Sequence, residues 1–205
     1  MKKKVLMSLL SLVITGTGLV FAQAPTLDKL SSGEGAYVPG AFVIAANKQI
    51  SGEVVIPATI SGSTVTQVAG FDKIPRITSV SIPNTVTHIS EDAFRGSTGL
   101  TGMIIPASVT NIGSNAFRGC TGLSGITIGA GVKVIETNAF NGCTNLTSVT
   151  FQGARIDTIA SGVFSGDLTA KYRAGGAGTY TRQRGSNTWT KQAGTVCTHC
   201  PVHCP

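Results

Sequence analysis

The segment SNAFRGC at residues 114–120 returns as TNAFNGC at 137–143 and is preceded by EDAFRGS at 91–97, always at an interval of 23 residues. Three segments, 77–99, 100–122 and 123–145, align without gaps, and a fourth at 146–166 follows with one inserted residue. Six apolar columns keep register through all four. The first three are Ile77/Leu100/Leu123/Leu146, Val80/Met103/Ile126/Val149 and Ile82/Ile105/Ile128/Phe151. The other three are Val86/Val109/Val132/Ile156, Ile89/Ile112/Ile135/Ile159 and Phe94/Phe117/Phe140/Phe164. A more irregular copy precedes them in ISGEVVIPATI (50–60) and VTQVAGF (65–71). One 23-residue unit cannot enclose its own apolar residues, so copies must stack until each column becomes a continuous strip of core.

Within a copy, Val80 and Ile82 alternate with Ser79 and Ser81, which is the period-two pattern of a half-buried strand. Pro83 and Pro106 follow, where a chain leaving a strand no longer needs a backbone donor. The Ala-Phe pair then places a large ring on the opposite wall, expected from a short helical turn. A β-sandwich of coincidentally similar strands does not account for six columns in register.

The pattern LxxVxIPxxVxxIGxxAFxxCxxL, which residues 100–123 follow almost letter for letter, resembles the treponemal, or BspA-like, bacterial leucine-rich repeat. The resemblance covers roughly residues 50–166, and YRAGGAGTYTRQRGSNTWTKQ (172–192) resembles the segment that often closes such proteins. The chain departs from the pattern at Gly129, at Ile135–Glu136 and throughout the first copy. The expected fold is an α/β repeat, a leucine-rich-repeat solenoid of about five 23-residue coils with short strands, closed by a C-terminal β-hairpin. The resemblance implies an exported or surface-exposed protein, with adhesins for host matrix, host cells or other bacteria among its class.

The N-terminus, MKKKVLMSLLSLVITGTGLVFAQA, has three lysines, an apolar run diluted by Ser, Thr and Gly, and Ala22-Gln23-Ala24. This is the charge, apolar and small-residue order of a secretory signal peptide over 1–24, with no transmembrane anchor expected after cleavage. Residues 25–49 are then an N-terminal cap or linker, 50–166 the solenoid, 167–195 a basic cap and 196–205 a Cys/His-rich tail. Without the leader, thirteen basic residues face nine acidic ones. Residues 25–166 are neutral, and the excess lies in Lys171, Arg173, Arg182, Arg184 and Lys191. A basic end of this kind is not a nucleic-acid footprint, and no nucleic-acid partner is expected.

In a solenoid the outward residues of the strands are free to bind. Here they are Ser79 and Ser81, Gly102 and Ile104, Gly125 and Thr127, Ser148 and Thr150. From these Ser79, Ser81, Ile104, Thr127 and Thr150 are candidate partner-binding residues, for a protein or glycan on host or bacterial surfaces. The face lacks the Trp, Tyr and Arg anchors of tight interfaces, and a face kept small for packing and solubility is the competing reading. Arg95 and Arg118, in a column continued by Asn141 and Ser165, read as a solvated edge. The hairpin around RGSN caps the last coil, and Tyr180, Arg182, Arg184 and Trp189 within it are further partner-binding candidates.

Cys120 and Cys143 share a column with Ser97 and Asp167. Stacked strands lie within disulfide reach, whereas the class resemblance favours two buried thiols. The tail CTHCPVHCP offers Cys197, His199, Cys200, His203 and Cys204, open to three readings: no specific role, disulfide chemistry, or metal. A frame change near the end of the coding region would also produce it. No catalytic set is evident: GxSxG is absent, the GGAG at 175–178 lacks the lysine of a phosphate loop, and His88 sits at a turn position. Neither an enzymatic activity nor a cofactor is expected. The alternative to a surface interaction module is an envelope scaffold with no external ligand.

Overall fold

The computed structural model describes residues 42–44, 50–60 and 63–193. The expected signal peptide and the Cys/His-rich tail, with Cys197, His199, Cys200, His203 and Cys204, lie outside the described residues. Each coil contributes one strand to each of two walls. The first wall holds β2 (Gly52–Val55), β6 (Ile77–Ser81), β8 (Gly102–Ile105), β10 (Gly125–Ile128) and β12 (Ser148–Phe151). The second wall is a six-stranded parallel sheet in the order β1 (Phe42–Ile44), β5 (Gln67–Ala69), β7 (His88–Ile89), β9 (Asn111–Ile112), β11 (Val134–Ile135) and β13 (Thr158–Ile159). Between β2 and β5, β3 (Thr59–Ile60) and β4 (Ser63–Thr64) form a small antiparallel ribbon.

Register is set by the 23-residue period. Ile126 pairs with Met103 and Val149, and Ile112 pairs with Ile89 and Ile135, so every apolar column becomes one file of core side chains. Leu100, Ile105, Val109 and Ile112 are wholly buried, as are Ala116, Phe117 and Cys120 of the same coil. Hydroxyls stitch the coil edges: Thr101 donates to the Thr78 carbonyl, Ser124 to that of Thr101 and Thr147 to that of Ser124.

The repeated NAFRGC is a pair of tight turns instead of the expected helical turn. Asn115 takes φ 56° and Gly119 φ 72°, as Asn138 and Gly142 do one coil later. Asn tolerates this left-handed region and Gly adopts it without a Cβ penalty, so the two letters that punctuate the motif are the two it needs. The amides between them alternate in direction. Those of Ala116, Arg118 and Cys120 bond three residues back, to Gly113, Asn115 and Phe117. Those of Asn115, Phe117 and Gly119 bond to Thr137, Ala139 and Asn141 of the next coil. A helix would direct every amide within its own coil; this arrangement uses half of them to hold neighbours together. Among the described residues the coils therefore contain no helix, and the architecture is mostly strand.

The rings of Phe71, Phe94, Phe117, Phe140 and Phe164 form one ladder with centroid separations of 5.2, 5.1, 5.0 and 5.0 Å. Their planes are within 8° of parallel from Phe94 onward. That spacing with parallel planes is an offset stack, the favourable arrangement for aromatic quadrupoles. The inserted residue of the fourth copy does not interrupt it.

Beyond Phe164 the chain leaves the repeat. Helix α1 (Leu168–Gly175) buries Leu168 and Tyr172 four residues apart, and it ends where Gly176 takes φ 65°. β14 (Gly178–Thr181) then adds to β12 in the antiparallel sense and β15 (Thr190–Lys191) adds to β14, giving the expected terminal hairpin. The reversed strand closes the sheet to a further parallel coil, and Arg173 donates to the Ile159 carbonyl at the end of the other sheet. Among the described residues no helix is long and apolar enough to cross a membrane.

Candidate functional site

The outward columns of the first wall follow directly from strand pairing. Glu53 lies beside Ser79, Gly102 beside Gly125 and Gly125 beside Ser148. The second column runs Val55 to Ser81, Ile104 to Thr127, and Thr127 to Thr150. Glycine at 102 and 125 removes side chains from the middle of the first column, and the result is an open groove of about 670 Å³ across five coils. Its lining includes Ser79, Ser81, Ile104, Thr127 and Thr150, so the five sheet-face candidates come together. Thr150 is partly committed, since its hydroxyl lies 2.9 Å from that of Thr179.

Ile104 is the dominant feature of this surface. It is 68 % exposed, with Val55 at 50 % the other large aliphatic side chain left to solvent among the described residues. Val55, Ser81, Thr127 and Thr150 hold the equivalent positions in the other copies, so an isoleucine is not required by the repeat. The wall is also interrupted beneath it: β2 and β6 form one sheet, β8, β10, β12, β14 and β15 another, and no ladder joins β6 to β8. The core residues at that seam are slightly wetted, Val80 at 5 %, Ile82 at 8 % and Met103 at 6 %.

Glu53, Asn84 and Pro106 also line the groove and were not among the candidates. Glu53 was legible: anchoring the first copy on its Ile56-Pro57 pair, as Ile82-Pro83 anchors the next, sets Glu53 over Ser79 and Val55 over Ser81. The β-bulge between Gly52 and Glu53 hides this from a gapless alignment. Asn84 and Pro106 lie after the strands, where strand periodicity says nothing about direction.

The candidates in the cap require correction. Tyr180 is 0 % and Trp189 1 % exposed, so neither ring can anchor a partner. Tyr180 packs edge-on against Phe151 at 5.8 Å and donates its hydroxyl to the Gly176 carbonyl at 2.7 Å. Trp189 donates its indole N–H to the Ser165 carbonyl at 3.0 Å. The terminal coil exposes a core cross-section as large as any other, and these rings cover it. Arg182 belongs to the same structure: Nε donates to the Leu146 carbonyl at 2.7 Å, Nη1 to that of Ser186 at 3.0 Å, and the guanidinium lies 4.8 Å from the Trp189 ring centroid. Of the four cap candidates only Arg184 is exposed.

The two cysteines of the solenoid are free, buried thiols. Cys120 donates to the Phe94 carbonyl and Cys143 to that of Phe117, as Ser97 does to that of Phe71. Burial pushes the Cys120 thiol up to about 12 and raises that of Cys143 as well. Glu136, which departs from the Ile-Gly of the repeat, reaches back to the preceding coil. It accepts from Asn111 Nδ2 at 3.0 Å and from the Ser114 amide and hydroxyl at 3.1 and 2.9 Å. The Asn111 bond, with those from Ser114, holds its carboxyl below the usual range against a smaller desolvation penalty. Arg95 pairs with Asp92 at 3.3 Å on the solvated edge. Among the described residues no group of His, Cys, Asp or Glu side chains is arranged to hold a metal.

A parallel solenoid of 23-residue coils with an open strand-face groove is a leucine-rich-repeat module, a protein-interaction repeat class that is typically non-catalytic. The chain belongs to the BspA-type leucine-rich-repeat family, whose model matches residues 66–172 in six copies. Solved structures similar to it include a leucine-rich-repeat protein of T. pallidum, 19 % identical, spanning 74 % of this chain and 95 % of that one at a TM-score of 0.39. A leucine-rich-repeat protein of Bacteroides ovatus is 28 % identical over 55 % of this chain and 37 % of its own, at a TM-score of 0.39. A leucine-rich cell surface protein of Faecalibacterium prausnitzii is 20 % identical over 56 % and 51 %, at a TM-score of 0.32. No curated protein matches the chain.

Proposed function

We propose that this chain is an exported interaction module that engages a protein on a host or bacterial surface through the groove on its first wall. The observation that carries the reading is Ile104, 68 % exposed at the centre of the groove, in a column where three of the other four copies place Ser or Thr. An aliphatic side chain left in water on one strand, flanked by glycines that admit a partner's atoms close to the backbone, favours an apolar contact within a hydroxylated rim. Glu53 is the one ionised group in the lining, so charge steering contributes little, and binding that depends weakly on salt is expected. The absence of aromatic rings from the lining favours a protein segment over a stacked sugar.

The test is capture by the chain lacking residues 1–24 from host-matrix and bacterial-envelope extracts, with the Ile104→Glu variant in parallel. A partner retained by the parent and lost by the variant supports the groove. Equal capture by both places the interaction elsewhere. Protease treatment of intact cells tests the location: a surface module is cleaved from outside, and an envelope scaffold is spared.

A further inference from the structure

Asn141–Gly142 is the one Asn-Gly pair in the sequence. It occupies the edge column in which the two preceding coils carry Arg95–Gly96 and Arg118–Gly119, and Asn141 is exposed. The three glycines share a left-handed conformation, with φ of 70°, 72° and 75°. Their amides differ. Gly96 donates to the Arg118 carbonyl at 2.8 Å and Gly119 to the Asn141 carbonyl at 2.8 Å.

By the same rule Gly142 would donate to Ser165 of the next coil. That carbonyl accepts the indole N–H of Trp189 at 3.0 Å. The chain then turns away into the cap, where the Asp167 amide bonds to Asn187. The Gly142 amide is left with no hydrogen-bond acceptor among the described residues. The repeat thus pairs its most labile dipeptide with a glycine whose amide the cap has released.

We infer that Asn141 is a site of spontaneous deamidation and isoaspartate formation in the folded chain. The Gly142 nitrogen gives its proton to solvent base and attacks the Asn141 side-chain carbonyl carbon. The new N–Cγ bond closes a five-membered imide, and the Cγ–Nδ2 bond breaks to release ammonia. One water then opens the imide at either carbonyl, leaving aspartate or isoaspartate; no redox partner is involved. Glycine matters because no Cβ shields the attacking nitrogen. The free amide matters because the bonds that restrain the segment on its outer side are local turn bonds, Asn141 to Asn138 at 3.0 Å, Cys143 to Phe140 at 3.3 Å and Thr144 to Gly142 at 2.9 Å. The product places a carboxylate one coil from Arg118. In the isoaspartate form it also lengthens the backbone at the carbonyl that accepts from Gly119.

The experiment is peptide mapping by mass spectrometry after incubation of the full chain at mildly alkaline pH, with isoaspartyl methyltransferase labelling to identify the isomer. The Arg118→Asn variant serves as an internal comparison, because it creates a second Asn-Gly pair whose glycine amide is still bonded to the next coil. In the native state Asn141 is expected to convert ahead of every other asparagine. The introduced pair should lag about five- to tenfold, the ratio for opening one additional backbone hydrogen bond. In urea the two pairs should convert at equal rates. Position 118 is exposed, so the fold should survive, and circular dichroism checks this. Equal native rates at the two pairs overturn the inference, as does a native Asn141 no faster than the other asparagines of the parent chain.

Discussion

Replacing Phe117 by alanine tests whether the phenylalanine ladder couples the coils. Phe117 is wholly buried and stacks on two rings, Phe94 at 5.1 Å and Phe140 at 5.0 Å. Deleting a buried phenylalanine costs about 3–5 kcal/mol in all, and two lost aromatic contacts, each about 0.5–1.5 kcal/mol beyond area burial, place this site toward the top of that range. The walls here are hydrogen-bonded ladders on both sides, which limits collapse into the cavity, so the expected loss is about 4–5 kcal/mol. That is a large part of the roughly 5–15 kcal/mol stability of an ordinary domain. Phe71, at the end of the ladder with Phe94 as its one ring partner among the described residues at 5.2 Å, should lose less in the same substitution.

The assay is urea unfolding followed by two probes. Far-ultraviolet circular dichroism reports all coils. Fluorescence of Trp189, the sole tryptophan and a buried residue of the cap, reports the C-terminal end. In the parent chain the transitions should coincide. In Phe117→Ala they should separate, because stability in a solenoid is a sum of coil and interface terms and the weakened interface lies mid-chain. A loss under about 2 kcal/mol with coincident transitions would refute the coupling argument.

Other substitutions probe the remaining contacts. Cys143→Ser should cost only about 1 kcal/mol by urea unfolding, because serine at 97 already makes the equivalent bond to a carbonyl of the preceding coil. The Cys120 thiol, pushed up to about 12, favours the folded state fully below the ordinary thiol range. That contribution fades as pH rises from about 8.5 toward 12, where the unfolded chain ionises and the folded chain does not; alkaline unfolding of Cys120→Ser should show a shallower slope. Glu136→Ala should cost about 1 kcal/mol through loss of its bonds to Asn111 and Ser114. Because the folded carboxyl is depressed, the Glu136 contribution is present above the ordinary carboxylate range and lost as pH falls through the folded value, a difference that acid titration of parent and variant would reveal. Arg182→Ala should cost about 1.5–3 kcal/mol and shift Trp189 emission, since it strips two backbone carbonyls of a cationic donor and uncovers the indole face.

The sequence by itself determined the solenoid, because a 23-residue period with six apolar columns admits no other way to bury each column. It also identified the strand residues that face outward, since alternation in a strand assigns each side chain to one face. Ser79, Ser81, Ile104, Thr127 and Thr150 were therefore legible as a set. Only the tertiary structure decided what lay off the period. Asn115 and Gly119 are identical letters in a helix or a turn, and their positive φ angles settled the matter by sending alternate amides to the next coil. Helix α1 escaped notice because two buried residues, Leu168 and Tyr172, make too short a pattern to read. Tyr180 and Trp189 looked like surface anchors in a basic, aromatic hairpin. Their burial follows from a fact outside their own segment: the last coil ends in an open cross-section of core, and large rings are what can close it.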